Sequence, residues 1–251
     1  YRRLRERDPT RLVCDNSGWA HVATDVNDFH RYFVSPDRAD RWEADLDYVT
    51  HHPGDNYATR AFDETGAPIV LSELGTWGLC DVPALRDHYD GDPPWFDHDF
   101  LTSQLKRPAG VDERFERSDL PAVFGDYESL AAAWQRREYV SVKHILEAVR
   151  TREDVAGYVL TELSDIEWEF NGLLDYRREP KAFHEEFAAV NAPVSVVAGV
   201  ERHVDWAGEA VTADPAVVND TSCRLDGTLT WSLGDQSGSA PLTVEADAVG
   251  R

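Results

Sequence analysis

The chain has 251 residues, enough to bury a large core in one large domain or two smaller ones. Its formal charge of -22 arises from 47 Asp and Glu against 25 Lys and Arg, and a surface of that sign repels nucleic acid and anionic lipid. No apolar run is long enough to span a membrane, and Cys14, Cys80 and Cys223 are spaced for neither a disulfide framework nor a zinc site.

Lysine is confined to Lys106, Lys143 and Lys181, whereas arginine is common. Acidic, lysine-poor surfaces suit salt-saturated cytoplasm, where screening suppresses repulsion between carboxylates. The expected setting is therefore cytoplasmic and halophilic. The chain contains no methionine and opens on Tyr1-Arg2-Arg3-Leu4-Arg5-Glu6-Arg7, which looks like the end of a helix. It is expected to be an internal fragment.

After that helix end, Asp8 to Arg11 should turn, and Leu12-Val13-Cys14 should form a short buried strand opening into polar Asp15-Asn16-Ser17-Gly18. The same order of strand and polar end recurs at Asp25-Val26-Asn27-Asp28-Phe29-His30-Arg31-Tyr32. Ser35 is suited to cap a helix with Pro36 at its first position. Ala39, Trp42, Leu46 and Val49 then fall on one helical stripe that ends near His51-His52. Adjacent histidines point apart on a helix, so that pair is read as a solvated end rather than a metal site.

Pro68-Ile69-Val70-Leu71-Ser72-Glu73-Leu74-Gly75 is the most informative stretch: an aliphatic run of strand length ends on a lone carboxylate. In a parallel sheet buried on both faces, polar side chains survive mainly at the carboxyl ends of strands, where active sites collect. Glu73 is accordingly a candidate site residue, against the alternative of a solvated glutamate rimming a strand. Residues 76–127, rich in Asp, Pro and aromatics, are expected to be a long irregular substrate loop. A helix should follow from about Leu130 to Arg150, with Val142, Ile145, Leu146 and Val149 on its apolar face.

Gly157 to Thr161 reads as the last strand of this series. It leads into Glu162-Leu163-Ser164-Asp165-Ile166-Glu167-Trp168-Glu169-Phe170. Carboxylates interleaved with aromatics suit a sugar site, since flat apolar faces stack on pyranose rings and carboxylates accept from hydroxyls. Pro180 should open a helix with Phe183, Phe187 and Val190 facing inward. From Ala192 on, short alternating strands with turn signals such as Asp226-Gly227 indicate an all-β sandwich, incomplete at Arg251.

Four strand, polar loop and helix units point to an α/β domain with a parallel sheet. A doubly wound sheet and half of an eight-stranded barrel both fit, although no glycine-rich phosphate loop follows any strand.

The segments Asp8-Pro-Thr-Arg-Leu-Val, Asp25-Val-Asn-Asp-Phe-His-Arg-Tyr, Pro68-Ile-Val-Leu-Ser-Glu-Leu-Gly and Gly157 to Asp165 resemble, in order, the second half of the catalytic barrel of family 2 glycoside hydrolases. That family comprises the β-galactosidase, β-glucuronidase and β-mannosidase group. The resemblance implies the C-terminal half of a (β/α)8 TIM barrel over residues 1–190. An immunoglobulin-like β-sandwich, truncated, follows over 191–251. It also implies a retaining β-glycosidase with Glu73 as nucleophile and no cofactor. His30, Tyr32, Asn16, Trp77, Glu162, Asp165 and Trp168 are the expected sugar-binding residues, with Tyr32 orienting Glu73, and no metal ligands are expected. The partners implied are a carbohydrate and the missing N-terminal half of the barrel, with self-association into a homo-oligomer left open.

Two departures stand out. The Asn-Glu pair that carries the family's acid/base glutamate occurs nowhere in the sequence, and Thr161 stands where many relatives have a tryptophan. The fragment by itself is expected to be inactive. An alternative is a carbohydrate-binding or scaffolding protein that kept the fold and lost catalysis. A metal-dependent hydrolase ranks last, since only His30 sits at a strand end.

Overall fold

The computed structural model describes residues 1–32, 39–59, 66–96, 110–166, 169–200 and 204–251. Ser35, Pro36 and Trp168 lie outside the described residues.

The architecture is mixed α/β. Helix α1 (Arg2–Arg7) precedes β1 (Asn27–Tyr32), α2 (Ala39–His51) and β2 (Ile69–Gly75). Next come α3 (Val82–Tyr89), α4 (Val111–Glu116), α5 (Pro121–Phe124), α6 (Tyr127–Arg150), β3 (Gly157–Leu160) and α7 (His184–Val190). The chain finishes with β4 (Val194–Val197), β5 (Ala216–Asn219), β6 (Leu225–Leu233), β7 (Gln236–Val244) and β8 (Ala248–Gly250). Among the described residues no helix is long and apolar enough to cross a membrane.

Strands β1, β2 and β3 form one parallel sheet in chain order. That order has no reversal among the described residues, and so no switch point of the doubly wound kind. The apolar stripe of α2 (Trp42, Leu46, Val49) and that of α6 (Val142, Ile145, Leu146, Val149) pack with Phe29, Ile69, Leu71 and Leu74 into one core. Helical and strand periodicities thus meet on a single buried layer. Asp126 caps α6, its side chain accepting from the Ser129 N–H at 2.8 Å.

Three expectations are corrected. Residues 12–14 form no strand: Leu12 is 69 % exposed, and Val13 pairs both ways with Asp25. Its N–H donates to the Asp25 carboxylate at 2.9 Å and its carbonyl accepts the Asp25 N–H at 2.9 Å. Three apolar residues bury too little area to hold a strand against those local bonds. The parallel sheet therefore has three described strands where four were expected.

Among the described residues of 76–127, α3, α4 and α5 stand where an irregular loop was expected. The Asp and Pro residues that resemble turn signals serve as helix starts: Asp81 caps α3, accepting from the Ala84 N–H at 3.1 Å, and Pro83 sits in its first turn. Their apolar residues Val82, Leu85 and Phe115 join Cys80, Phe96, Tyr127 and Leu130 in a second core.

The stretch after Ala192 is all-β, as expected, in two sheets ordered β4-β5-β8 and β6-β7. Asp226-Gly227 lies inside β6, however, and the hairpin turns at Gly234, whose φ is +57°. The two halves of the chain are joined by Arg150. Its guanidinium donates to the carbonyls of Val190 and Ala192, both at 2.6 Å, and to Asp220 at 2.8 Å.

Candidate active site

Glu73 owes its position to an irregularity in β2. Register against β1 runs Phe29 with Leu71 and then His30 with Glu73, and against β3 it runs Leu71 with Tyr158 and then Leu74 with Leu160. Both neighbours therefore see one extra residue on β2 between Leu71 and Leu74. Strict alternation would put Glu73 on the face of Leu71. The bulge instead returns Leu74 to the core beside Leu71, both fully buried, and turns Ser72 and Glu73 to the other face. Bulges re-aim side chains in this way beside functional sites.

On that face the Tyr32 hydroxyl donates to Glu73 Oε2 at 2.7 Å, and His30 Nδ1 lies 3.2 Å from the same oxygen. The Glu73 side chain is 40 % exposed and that of His30 23 %, so the carboxylate is held at one oxygen and open to solvent. Burial, reinforced by the Glu73 charge, pushes the Tyr32 phenol well above its ordinary range, so it keeps its proton and donates it. The Trp77 ring lies beside that of Tyr32, with centroids 5.2 Å apart. Gly75 is required by close approach, since a Cβ there would fall 2.5 Å from the Thr161 carbonyl oxygen.

His30 is backed by Gly18, whose φ is +73° and whose Cβ, if present, would lie 2.3 Å from the imidazole. This loop is anchored by Asp28, a buried aspartate inside β1. Its Oδ2 accepts from the Ser17 hydroxyl at 2.7 Å, from the Gly18 N–H at 3.0 Å and from the Ser72 hydroxyl. Ser17 Oγ is also 3.4 Å from His30 Nε2. Ser17, Gly18 and Asp28 escaped the sequence reading, although a charged residue inside an otherwise buried strand segment was a signal that something must pair with it.

Glu162 follows β3. Burial first, then the nearby Glu169 and Asp165, push its carboxyl up to about 7, and Glu73 adds to the rise. Beyond it a hollow of about 480 Å³ is lined by Tyr89, Trp95 and Tyr176 with Glu162, Asp165 and Arg178. Glu73 is not among its lining residues.

Asp165 has a different environment. Lys181, fully buried, donates to Asp165 Oδ1 at 2.8 Å, Glu138 Oε2 at 3.2 Å and the Phe170 carbonyl at 2.7 Å. Asp165 also accepts the Gly172 N–H at 2.9 Å. Burial pushes the carboxyls of Glu138 and Asp165 up, while Lys181 pulls both down. Asn16 is turned into its own loop, its amide donating to the Ala20 carbonyl at 3.1 Å. The structure thus gathers Glu73, His30, Tyr32 and Trp77, sets Glu162 within electrostatic reach of Glu73, and places Asp165 in a buried ion cluster.

No family model matches the sequence, and no curated protein matches it. In fold the chain is similar to the β-D-mannosidase from Dictyoglomus thermophilum, with a TM-score of 0.51 and 14 % identity over 89 % of this chain and 25 % of that one. A β-glucuronidase from an uncultured Clostridium species matches with a TM-score of 0.40 and 14 % identity, over 74 % of this chain and 27 % of that one. A GH2 β-galacturonidase from Eisenbergiella tayi bound to galacturonate matches at 0.36 and 16 %, over 65 % and 23 %. The chain spans about a quarter of the length of these solved structures. Its likeness in fold to the first agrees with the resemblance to family 2 glycoside hydrolases that the Ser-Glu-Leu-Gly step and its companion segments carry.

Proposed function

We propose that this chain carries the nucleophile of a retaining β-glycosidase, its parallel sheet forming part of a (β/α)8 barrel. The observation that carries the reading is Glu73: a carboxylate on a bulged strand, with one oxygen held by Tyr32 at 2.7 Å and a side chain that is 40 % exposed. Such a group attacks an anomeric carbon as the bond to the leaving oxygen breaks, and a second carboxyl protonates that oxygen. The resulting glycosyl ester is then hydrolysed by water. Tyr32 fixes the attacking carboxylate without neutralising it, since its proton is shared and not transferred.

In retaining enzymes the two carboxyls stand about 5 Å apart. The proton donor is proposed to lie on the part of the barrel outside this sequence, in the Asn-Glu step of the family. Glu162, whose carboxyl is pushed up to about 7 by burial and the neighbouring carboxylates, can hydrogen-bond a sugar hydroxyl, and the aromatic hollow beside it extends the sugar-binding surface.

The complete protein is expected to hydrolyse a 4-nitrophenyl β-glycoside from a panel of mannoside, glucuronide and galactoside, and proton NMR should show the β anomer of the sugar formed first. An α anomer formed first contradicts the retaining reading. Saturable sugar binding without turnover across the panel favours a binding protein that lost catalysis, which the absent Asn-Glu step and Thr161 motivate.

A further inference from the structure

Cys14, His21 and Asp28, spaced seven residues apart, converge on one point. Cys14 Sγ is 3.2 Å from Asp28 Oδ1, and His21 Nε2 is 2.9 Å from the same oxygen. All three donor atoms lie within 4.8 Å of one another. His21 and Asp28 are buried while Cys14 is exposed, so the cluster has one side open to solvent.

The hydrogen bonds around His21 show what the gap lacks. Nδ1 lies 2.6 Å from Asp15 Oδ1, and a carboxylate only accepts, so Nδ1 carries the proton. The other oxygen of Asp15 accepts the N–H groups of Val22 and Ala23 at 2.8 and 3.0 Å, which fixes it in place. Nε2 is then the lone-pair nitrogen and accepts the Asp28 backbone N–H at 3.2 Å, a long bond that an ion on Nε2 would displace. Yet Nε2 also faces the Asp28 carboxylate oxygen at 2.9 Å. Two acceptors at that separation repel unless a positive charge lies between them. A second proton or a metal ion meets the requirement; the Cys14 thiol, which donates to that same oxygen, supplies a third ligand once its proton is replaced by the metal.

We propose that Cys14, His21 and Asp28 form a zinc site, with Asp15 as the carboxylate that orients the histidine. Thiolate, imidazole and carboxylate are the ligand types of tetrahedral zinc, at about 2.3, 2.0 and 2.1 Å from the ion. Ligand atoms of such a site stand roughly 3.3 to 3.6 Å apart, so the observed 2.9 and 3.2 Å need only small outward shifts. A carboxylate on the second ring nitrogen is the usual outer partner of a zinc-bound histidine. The open side beside Cys14 leaves a fourth position for water. The three cysteines have no zinc spacing of their own, and the spacing of Cys14, His21 and Asp28 matches no short ligand motif; these three meet because the loop over residues 14–21 folds back on β1. Since Asp28 Oδ2 holds Ser17, Gly18 and Ser72, the ion would brace the loop behind His30 against the strand bearing Glu73. The inference stands independently of the glycosidase reading.

The test is cobalt binding to the complete protein after chelation. One equivalent of Co(II) should give a near-ultraviolet thiolate-to-cobalt absorption band, zinc should displace it, and Cys14→Ser should abolish it. Asp15→Asn should weaken zinc binding about 10- to 100-fold, and zinc should raise the melting temperature of the wild type but not of Cys14→Ser. No thiolate band from the folded protein in excess cobalt, or a band that survives Cys14→Ser, overturns the proposal and leaves a proton in the gap.

Discussion

Glu73→Ala in the complete protein is expected to lower kcat for a β-glycoside on the order of 10⁴-fold or more, about 5.4 kcal/mol of barrier. The loss follows from removing the atom that forms the glycosyl bond, which no neighbour replaces: Tyr32 donates, and His30 sits at the oxygen that Tyr32 already holds. Shortening the side chain to alanine also opens a hole on that face. Azide should enter it and attack the anomeric carbon from the vacated side, restoring turnover of a substrate with a good leaving group and yielding the α-glycosyl azide. Glu73→Gln keeps the shape and should fail to be rescued. Unchanged melting temperatures for both variants would show that the loss is chemical, as the 40 % exposure of this side chain leads one to expect.

Lys181→Met carries the largest expected cost in stability. The ammonium is fully buried between Glu138 and Asp165, and its removal leaves two carboxyls in a low-dielectric interior without a counter-charge. Breaking a buried pair at one partner costs about 3–5 kcal/mol, a fall of roughly 6–20 °C in melting temperature for a chain of this size. The deficit should depend on pH. Without Lys181 the folded-state pKa values of Glu138 and Asp165 rise further above their unfolded values, so the folded state binds more protons than the unfolded one. Stability then falls as pH rises through the range above the ordinary carboxylate pKa and recovers toward acid. Thermal melts of the variant between pH 5 and 8 should show that slope, and a pH-independent deficit would assign the loss to packing instead. Because the cluster ties α6 to the segment after β3, activity should suffer with it, through misplacement of Glu162.

Much of the sheet was legible because its signals are local. The continuous run Ile69-Val70-Leu71 has strand length and composition, and Val142, Ile145, Leu146 and Val149 have the 3.6-residue spacing of a helix face; both meet in one core. The contact between Tyr32 and Glu73 was also anticipated, from the order of the two segments in the family they resemble. What stayed hidden was non-local. The extra residue on β2 is invisible in the sequence, since a period of two places Glu73 with Leu71, and only pairing to both neighbours exposes the bulge. The helices of residues 76–127 were masked because aspartate and proline mark helix starts as readily as turns. Asp165 looked like a sugar ligand from its surroundings, while its partner Lys181 lies sixteen residues further along the chain, and Glu138 on a helix before both. Cys14 and His21 gave no metal signature for the same reason: their meeting with Asp28 depends on a loop whose path the sequence does not encode in any short pattern.

The most direct measurement is to incubate the complete, active protein with a 2-deoxy-2-fluoro β-glycoside carrying a good leaving group and to locate the label by peptide mass spectrometry. The fluorine slows hydrolysis of the glycosyl ester more than its formation, so the intermediate accumulates. The account predicts one sugar per chain, esterified to Glu73 in the peptide containing Ser72-Glu73-Leu74-Gly75, with Glu73→Gln unlabelled. A label on any other carboxylate, with Glu73→Gln still turning over substrate, would contradict it.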